Sequence, residues 1–242
     1  MTATRTILSP NHYNGWTKGP PRAVVIHSTR STIASKTDAQ ELQSTITWFM
    51  SVNSQASAHW VISELERIRM VENKYPAWHA VEHSWEAYGI EITQPTIDRP
   101  YKEGHYQNLV AVCVPYVQAG IPVVHLPTLE YGDSRRGFVG HNETAQGRRD
   151  GKSDPGPQFD WAKFIGMLTA ATEEDMALSD ADYPQFHAML VTLLNSTDPK
   201  YGNAAYAPII AALRAKVAAL ETQAQAAGLK RGDTVKIEGT VT

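Results

Sequence analysis

The sequence predicts an α/β domain, a mixed central β-sheet flanked by helices, followed by a C-terminal helical extension and a short terminal strand. Three observations carry this expectation. β-Branched runs alternate with segments of helical periodicity. Two of the runs, "RAVVIHS" (22–28) and "AYGIEIT" (87–93), are apolar enough on both faces to be buried central strands. After residue 172 the strand-like runs give way to helical patterning.

The elements follow in order. "RAVVIHS" is a strand ending at His27, and the Ser/Thr-rich stretch after it is a loop. Asp38 is placed to cap a helix, "AQELQSTITWFMSV", whose Leu42, Ile46 and Phe49 share one face. "SAHWVIS" (57–63) and "RIRMVE" (67–72) read as strands, and "YPAWHAVEHSW" as an aromatic, histidine-rich connection. "AYGIEIT" is the next strand, and "YQNLVAVCVPYVQAG" is a helix stopped by Gly120. "IPVVHLPTL" leads to a loop rich in glycine and proline, "GHNETAQGRRDGKSDPGPQFDW" (140–161), and "FDWAKFIGMLTAA" is a third long helix. This sets a domain at 1–172 and an extension at 173–242. Within the extension, apolar residues recur at heptad spacing over 203–227, and 233–242 reads as a polar strand. That heptad stretch is either a coiled coil, making the protein a homo-oligomer, or an amphipathic helix docked on the main domain.

Composition excludes several classes. Net charge is −3, with 16 basic and 16 acidic groups in residues 1–172 and 6 against 9 beyond, so neither part carries the basic footprint of a nucleic-acid binder. No apolar run reaches the roughly 18 residues of a transmembrane helix. The N-terminus lacks the apolar core of a signal peptide, which predicts a protein made and kept in a cytoplasm. The single cysteine, Cys113, excludes an internal disulfide and a cysteine zinc cluster, and its apolar surroundings predict buried packing.

Four polar residues stand out against this background. His27 closes a buried strand, where side chains from distant parts of the chain converge; alone, such a histidine is more often structural. His141 follows the apolar "GFVG". Asp154 precedes Pro155-Gly156, a turn that fixes where its carboxylate points. Glu91 shares a strand face with Gly89 and Thr93, opposite Ile90 and Ile92; a carboxylate there is costly unless it is paired, beside a metal or facing a wet cleft. A catalytic zinc takes about three protein ligands and keeps one position open.

The motifs "AVVIHSTR", "SAHWVIS", "AWHA", "YGIEI" and "GHNETAQGRRDGKSDPGPQFDW" stand in one order over residues 20–168. In that order they resemble the zinc-dependent N-acetylmuramoyl-L-alanine amidases, the amidase-2 family that shares its fold with peptidoglycan recognition proteins. The likeness is strongest to phage endolysin amidases. It implies Zn2+ as cofactor, with His27, His141 and Asp154 as ligands, Glu91 as catalytic glutamate and Lys152 assisting. It implies that His79 lines the cleft and that His59 lies near the site without ligating. His83 and Trp78 flank the same connection and are further candidates for substrate contact. The sequence departs from the family in two places. The loop between His141 and Lys152 is lengthened by Arg148–Gly151, and a tyrosine used by some phage members is Ala58 here.

The implied substrate is bacterial peptidoglycan, cut between N-acetylmuramic acid and L-alanine. The implied setting is a host cytoplasm until lysis. A non-catalytic peptidoglycan-binding module is the rival from another class, and the full set of ligands with Glu91 weighs against it. A cytoplasmic muropeptide-recycling amidase is the enzymatic rival. Arg148 and Arg149 are expected to be solvated, and His12, His105, His125 and His187 to serve packing or surface roles.

Overall fold

A computed structural model describes residues 3–176 of the chain. The strands are β1 (Ala3–Thr6), β2 (Ala23–Ser28), β3 (Trp60–Ile62), β4 (Glu66–Arg69), β5 (Ala87–Ile92) and β6 (Gly137–Gly140). The helices are α1 (Asp38–Met50), α2 (Glu103–Gln118), α3 (Ala145–Arg149) and α4 (Trp161–Met176). The mixed sheet flanked by helices is the expected fold class. Helix α4 runs past the expected domain boundary, and residues 1–176 form one compact unit. The coiled coil over 203–227, the strand over 233–242 and an oligomer built on them lie outside the described residues. Among the described residues no helix is long and apolar enough to cross a membrane.

The sheet runs β1-β4-β3-β5-β2-β6, antiparallel between β3 and β4 and parallel elsewhere. The two doubly apolar strands, β2 and β5, lie side by side near its middle, and every residue of β2 is buried. On one face Val24, Ile26, Ile90 and Ile92 pack under Leu109, Cys113 and Tyr116 of α2 and Phe164 and Leu168 of α4. Burial pushes the Cys113 thiol well up, consistent with packing. On the other face α1 covers Val61, Ile68 and Met70 with Leu42, Ile46 and Phe49, and Leu126 and Leu129 cover Val25, Ala87 and Val139. Strands β2, β5 and β6 run the same way, so their carboxyl ends share one edge, where ligands of α/β sheets bind.

The structure differs from the sequence expectation locally. Strand β1 was not anticipated; it is exposed throughout and pairs only with β4, so burial left no pattern in its sequence. Strand β4 stops at Arg69 because Met70 and Val71 both donate to the His59 carbonyl, which breaks the ladder. The cap of α1 is Thr37, in a capping box with Gln40, rather than Asp38. The loop expected over 140–161 contains a 3-10 turn (His141–Glu143) and α3.

Asp38 is released from capping for another task. Its Oδ1 accepts hydrogen bonds from Thr93 and, at 3.0 Å, from His105, while Oδ2 accepts the Glu64 main-chain N–H at 2.7 Å. One carboxylate thereby ties the starts of α1 and α2 to the end of β5 and the β3–β4 turn. Although burial opposes it, these hydrogen bonds hold the Asp38 pKa below its ordinary value of 3.8. A depressed carboxylate contributes stability above its unfolded pKa and loses it as pH falls through the folded one. Asp38→Ala is therefore expected to cost about 1–3 kcal/mol at neutral pH. The gap to the parent, measured by urea unfolding, should shrink as pH falls below the ordinary value of 3.8.

Candidate metal centre and catalytic cleft

His27 reaches the site from the end of β2, His141 from the residue after β6, and Asp154 from the turn beyond α3. His27 Nδ1 lies 3.0 Å from His141 Nδ1 and 3.2 Å from Asp154 Oδ2, and His141 Nδ1 lies 3.0 Å from Asp154 Oδ2. All three residues are buried. Ligands about 2.1 Å from a tetrahedral zinc stand roughly 3.4 Å apart, so this triangle is close to one face of such a site.

The surrounding hydrogen bonds say what the triangle holds. Gln146 gives its amide nitrogen to Asp150 at 2.6 Å, which turns its oxygen towards His141 Nε2 at 2.8 Å. His141 Nε2 must therefore carry the proton. The Ala87 carbonyl sits 3.0 Å from His79 Nε2, so that nitrogen donates and His79 Nδ1 accepts. His27 Nε2, 3.0 Å from His79 Nδ1, must then be the donor. Burial, followed by the His141 ring, lowers the His27 pKa to about 4, and burial sets His79 well below its ordinary value; both rings are neutral at pH 7. In these tautomers the Nδ1 atoms of His27 and His141 present lone pairs towards the Asp154 carboxylate. Three acceptors converge with no donor between them. That donor set fits a divalent cation, and two imidazoles with one carboxylate suit zinc.

Glu91 stands beside His27 on the neighbouring strand, its rung partner in the parallel ladder. Its Oε2 is buried without a hydrogen-bond partner. Burial, then the Asp154 charge, pushes its pKa up to about 8. Ser28 Oγ and Arg30 Nε are likewise buried and unpartnered. All three residues line an open cleft of about 540 Å³ that rises from Glu91 to α1. Lys152 is exposed at the other side; its amide is fixed by the Gly147 carbonyl at 2.8 Å, and its charge bears on both Glu91 and His27.

The other candidates fall into two groups. His79 is half-buried and touches the site through His27, its ring lying against Gly89, where a Cβ would meet it at 2.4 Å. Trp78 is half-buried, with its Nε1 enclosed and unpaired. The structure does not bring His59 or His83 to the metal corner's open side. His59 is fully buried; its Nδ1 accepts the Gly89 N–H and its Nε2 donates to the Tyr75 carbonyl, so it braces β5 from behind. His83 is fully buried and bonded at 2.8 Å to Glu86, which Arg22 also holds.

Sequence reasoning passed over Arg30, Gln146 and Tyr101. Arg30 Nη2 and the Tyr101 hydroxyl both reach the Pro155 carbonyl, next to Asp154, at 3.1 and 2.9 Å. The "RRDG" stretch proves to be the end of α3 and the turn after it. It sets Gln146 on His141 and Asp150 on Gln146, with Gly151 in the left-handed region at φ 66°. Nor are its arginines purely solvated: Arg148 pairs with Glu130, and Arg149 pairs with Glu82 at 3.3 Å.

Fold and site together define an α/β protein with a candidate metal centre of the open, catalytic type at the carboxyl edge of its sheet. Residues 17–157, more than half of the chain, match the family described as N-acetylmuramoyl-L-alanine amidase, and the chain belongs to that family. It is 30% identical over 108 residues to the 1,6-anhydro-N-acetylmuramyl-L-alanine amidase AmpD of Enterobacter cloacae, covering 41% of this chain and 50% of that protein. It is 24% identical over 161 residues to N-acetylmuramoyl-L-alanine amidase A of Achromobacter lyticus, covering 60% of this chain and 82% of the other. The chain spans 50–62% of the length of the AmpD relatives it matches. Its fold resembles a crystal structure of an AmpD derivative, with TM-score 0.52 and 22% identity over 68% of this chain and 94% of that one. It also resembles the Staphylococcus aureus hydrolase AmiA, with TM-score 0.52 and 14% identity over 72% and 84%.

The raised Glu91 pKa has a thermodynamic consequence in metal-free protein. Between the ordinary value of 4.5 and about 8 the folded state holds a proton that the unfolded state has released, so stability falls as pH rises through that window. Glu91→Gln removes this loss. The metal-free variant should match the parent's Tm at pH 4.5 and exceed it by several degrees at pH 8, since about 1 kcal/mol moves Tm by roughly 2–4 °C in a protein of this size. Scanning calorimetry in chelator reads this directly.

Proposed function

We propose that this chain is a zinc-dependent N-acetylmuramoyl-L-alanine amidase that cuts the amide between N-acetylmuramic acid and the L-alanine of the stem peptide. The observation that carries this reading is the donor-free triangle of His27, His141 and Asp154 beside an unpartnered Glu91 in a chain of this family. His27 Nδ1, His141 Nδ1 and Asp154 Oδ2 would hold the zinc, which supplies a Lewis acid for the scissile carbonyl and the attacking water.

The remaining work belongs to the protein. Glu91 Oε2 takes the water's proton and passes it to the leaving amine. Lys152 lends positive charge as the carbonyl oxygen becomes an oxyanion. His79 holds the His27 ring in the tautomer that leaves Nδ1 bare. Ser28 and Arg30 offer unpaired polar atoms in the same cleft, suited to the polar groups around the scissile bond.

We further propose a phage endolysin acting on the intact wall, reached from the host cytoplasm once the membrane opens. The open cleft continuing over α1 favours a polymeric substrate. The AmpD relatives favour a second reading, a recycling amidase for soluble 1,6-anhydro-muropeptides. Turnover of intact sacculi against a soluble anhydro-muropeptide separates the two, and a preference for the small substrate overturns the endolysin.

Digestion of purified peptidoglycan should release new L-alanine amino termini, identified by mass, and a chelator should stop it. Glu91→Gln is expected to keep stoichiometric zinc by elemental analysis and lose at least about 10²-fold in rate. Full activity in that variant sinks the assigned role. Gln146→Leu frees the His141 tautomer and should weaken zinc binding by about 10- to 100-fold, read by chelator competition.

A further inference from the structure

The cleft at Glu91 does not end at α1. It meets a second, open cleft of about 830 Å³, and Ser44 and Trp48 line both. Trp48 stands at the junction and is 58% exposed, on the opposite side of α1 from the buried Leu42, Ile46 and Phe49. Around it Gln40, Gln43, Ser44 and Thr47 form one exposed helical stripe at spacings of three and four.

This stripe is an odd face for a solvated helix. Serine, threonine and tryptophan are weaker helix formers than the alanine, lysine and glutamate that ordinarily serve there. Among the described residues lining the outer cleft, Lys36 is the one charged group, and Glu41 pairs it at 3.4 Å. An uncharged wall of amides and hydroxyls around an exposed aromatic ring is the chemistry that recognises a neutral saccharide. The stem peptide, with its carboxylates, would meet no free cation along this wall. We propose that the α1 stripe, centred on Trp48, is a subsite for the glycan strand of peptidoglycan, extending the reaction cleft by at least one sugar and stacking it on the indole. This inference rests on the amidase reading above and adds the part of the substrate that the reacting centre does not touch.

The test compares full-length protein with Trp48→Ala and Trp48→Phe on two substrates, a peptide-bearing tetrasaccharide and a single N-acetylmuramoyl peptide. Trp48→Ala should raise KM for the tetrasaccharide by about tenfold and leave its kcat, and both constants for the small substrate, within about twofold, with Trp48→Phe restoring most of the loss. Equal losses on both substrates, or none, overturn the proposal. So does a change in light-scattering mass without a change in the KM ratio, which would give the stripe to a second copy of the chain. Should the parent cleave neither substrate, the amidase reading fails, and calorimetry with the peptide-free tetrasaccharide decides the subsite alone. Binding that Trp48→Ala weakens about tenfold supports it; no binding, or binding unchanged by the substitution, overturns it.

Discussion

Two hydrogen bonds made away from the metal corner decide what that corner can bind. His27 gives its Nε2 proton to His79, and His141 gives its own to Gln146. Each bond ends on a group that can only accept, because the Ala87 carbonyl orients His79 and Asp150 orients Gln146. The two inner nitrogens are thereby left as lone pairs. Without these partners either ring could turn a proton inwards and meet Asp154 as an ordinary ion pair. Burial, and after it the neighbouring Asp154 carboxylate, opposes the ionisation of Glu91 beside them.

The small helix between His141 and Asp154 gives the lengthened "RRDG" loop a purpose. Gly147 packs where any Cβ would lie 1.7 Å from the His141 carbonyl, so α3 folds directly onto the histidine it supports. Its last residues carry the ion pair to Glu82, which links α3 to the histidine-rich connection bearing His79. The partners of His27 and His141 are in this way tied to one patch of surface. The clamp of Arg30 and Tyr101 on the Pro155 carbonyl steadies the turn that carries Asp154.

Much of this was legible in the sequence. The doubly apolar strands, the face of α1 and the helices α2 and α4 follow from burial patterns that one residue type after another repeats. His27, His141, Asp154 and Glu91 were legible because each is a polar group where the pattern demands an apolar one, or sits in a rigid turn. What stayed hidden was polar and local. Gln146 reads as an ordinary helix glutamine until its amide is seen pinned between two partners. Thr37 rather than Asp38 caps α1 because Asp38 is claimed by Thr93, His105 and Glu64, contacts between segments far apart in the chain. His83 looked like a cleft residue because it lies near "AWHA", but proximity in sequence does not say which way a ring turns. Trp48 lies off the face formed by Leu42, Ile46 and Phe49, and the structure shows it exposed.

The pairing of His27 with Glu91 is a rung of a parallel ladder. Adjacent strands stand about 4.8 Å apart whatever their side chains. The backbone spacing of Glu91 from His27 is therefore a property of the sheet repeat, not of any loop, and a slip of strand register would alter it. Loops around the cleft could be lengthened or swapped while that spacing stayed constant. Such a scaffold separates the chemistry, which is set by backbone pairing, from the choice of substrate, which is left to surfaces that can change freely.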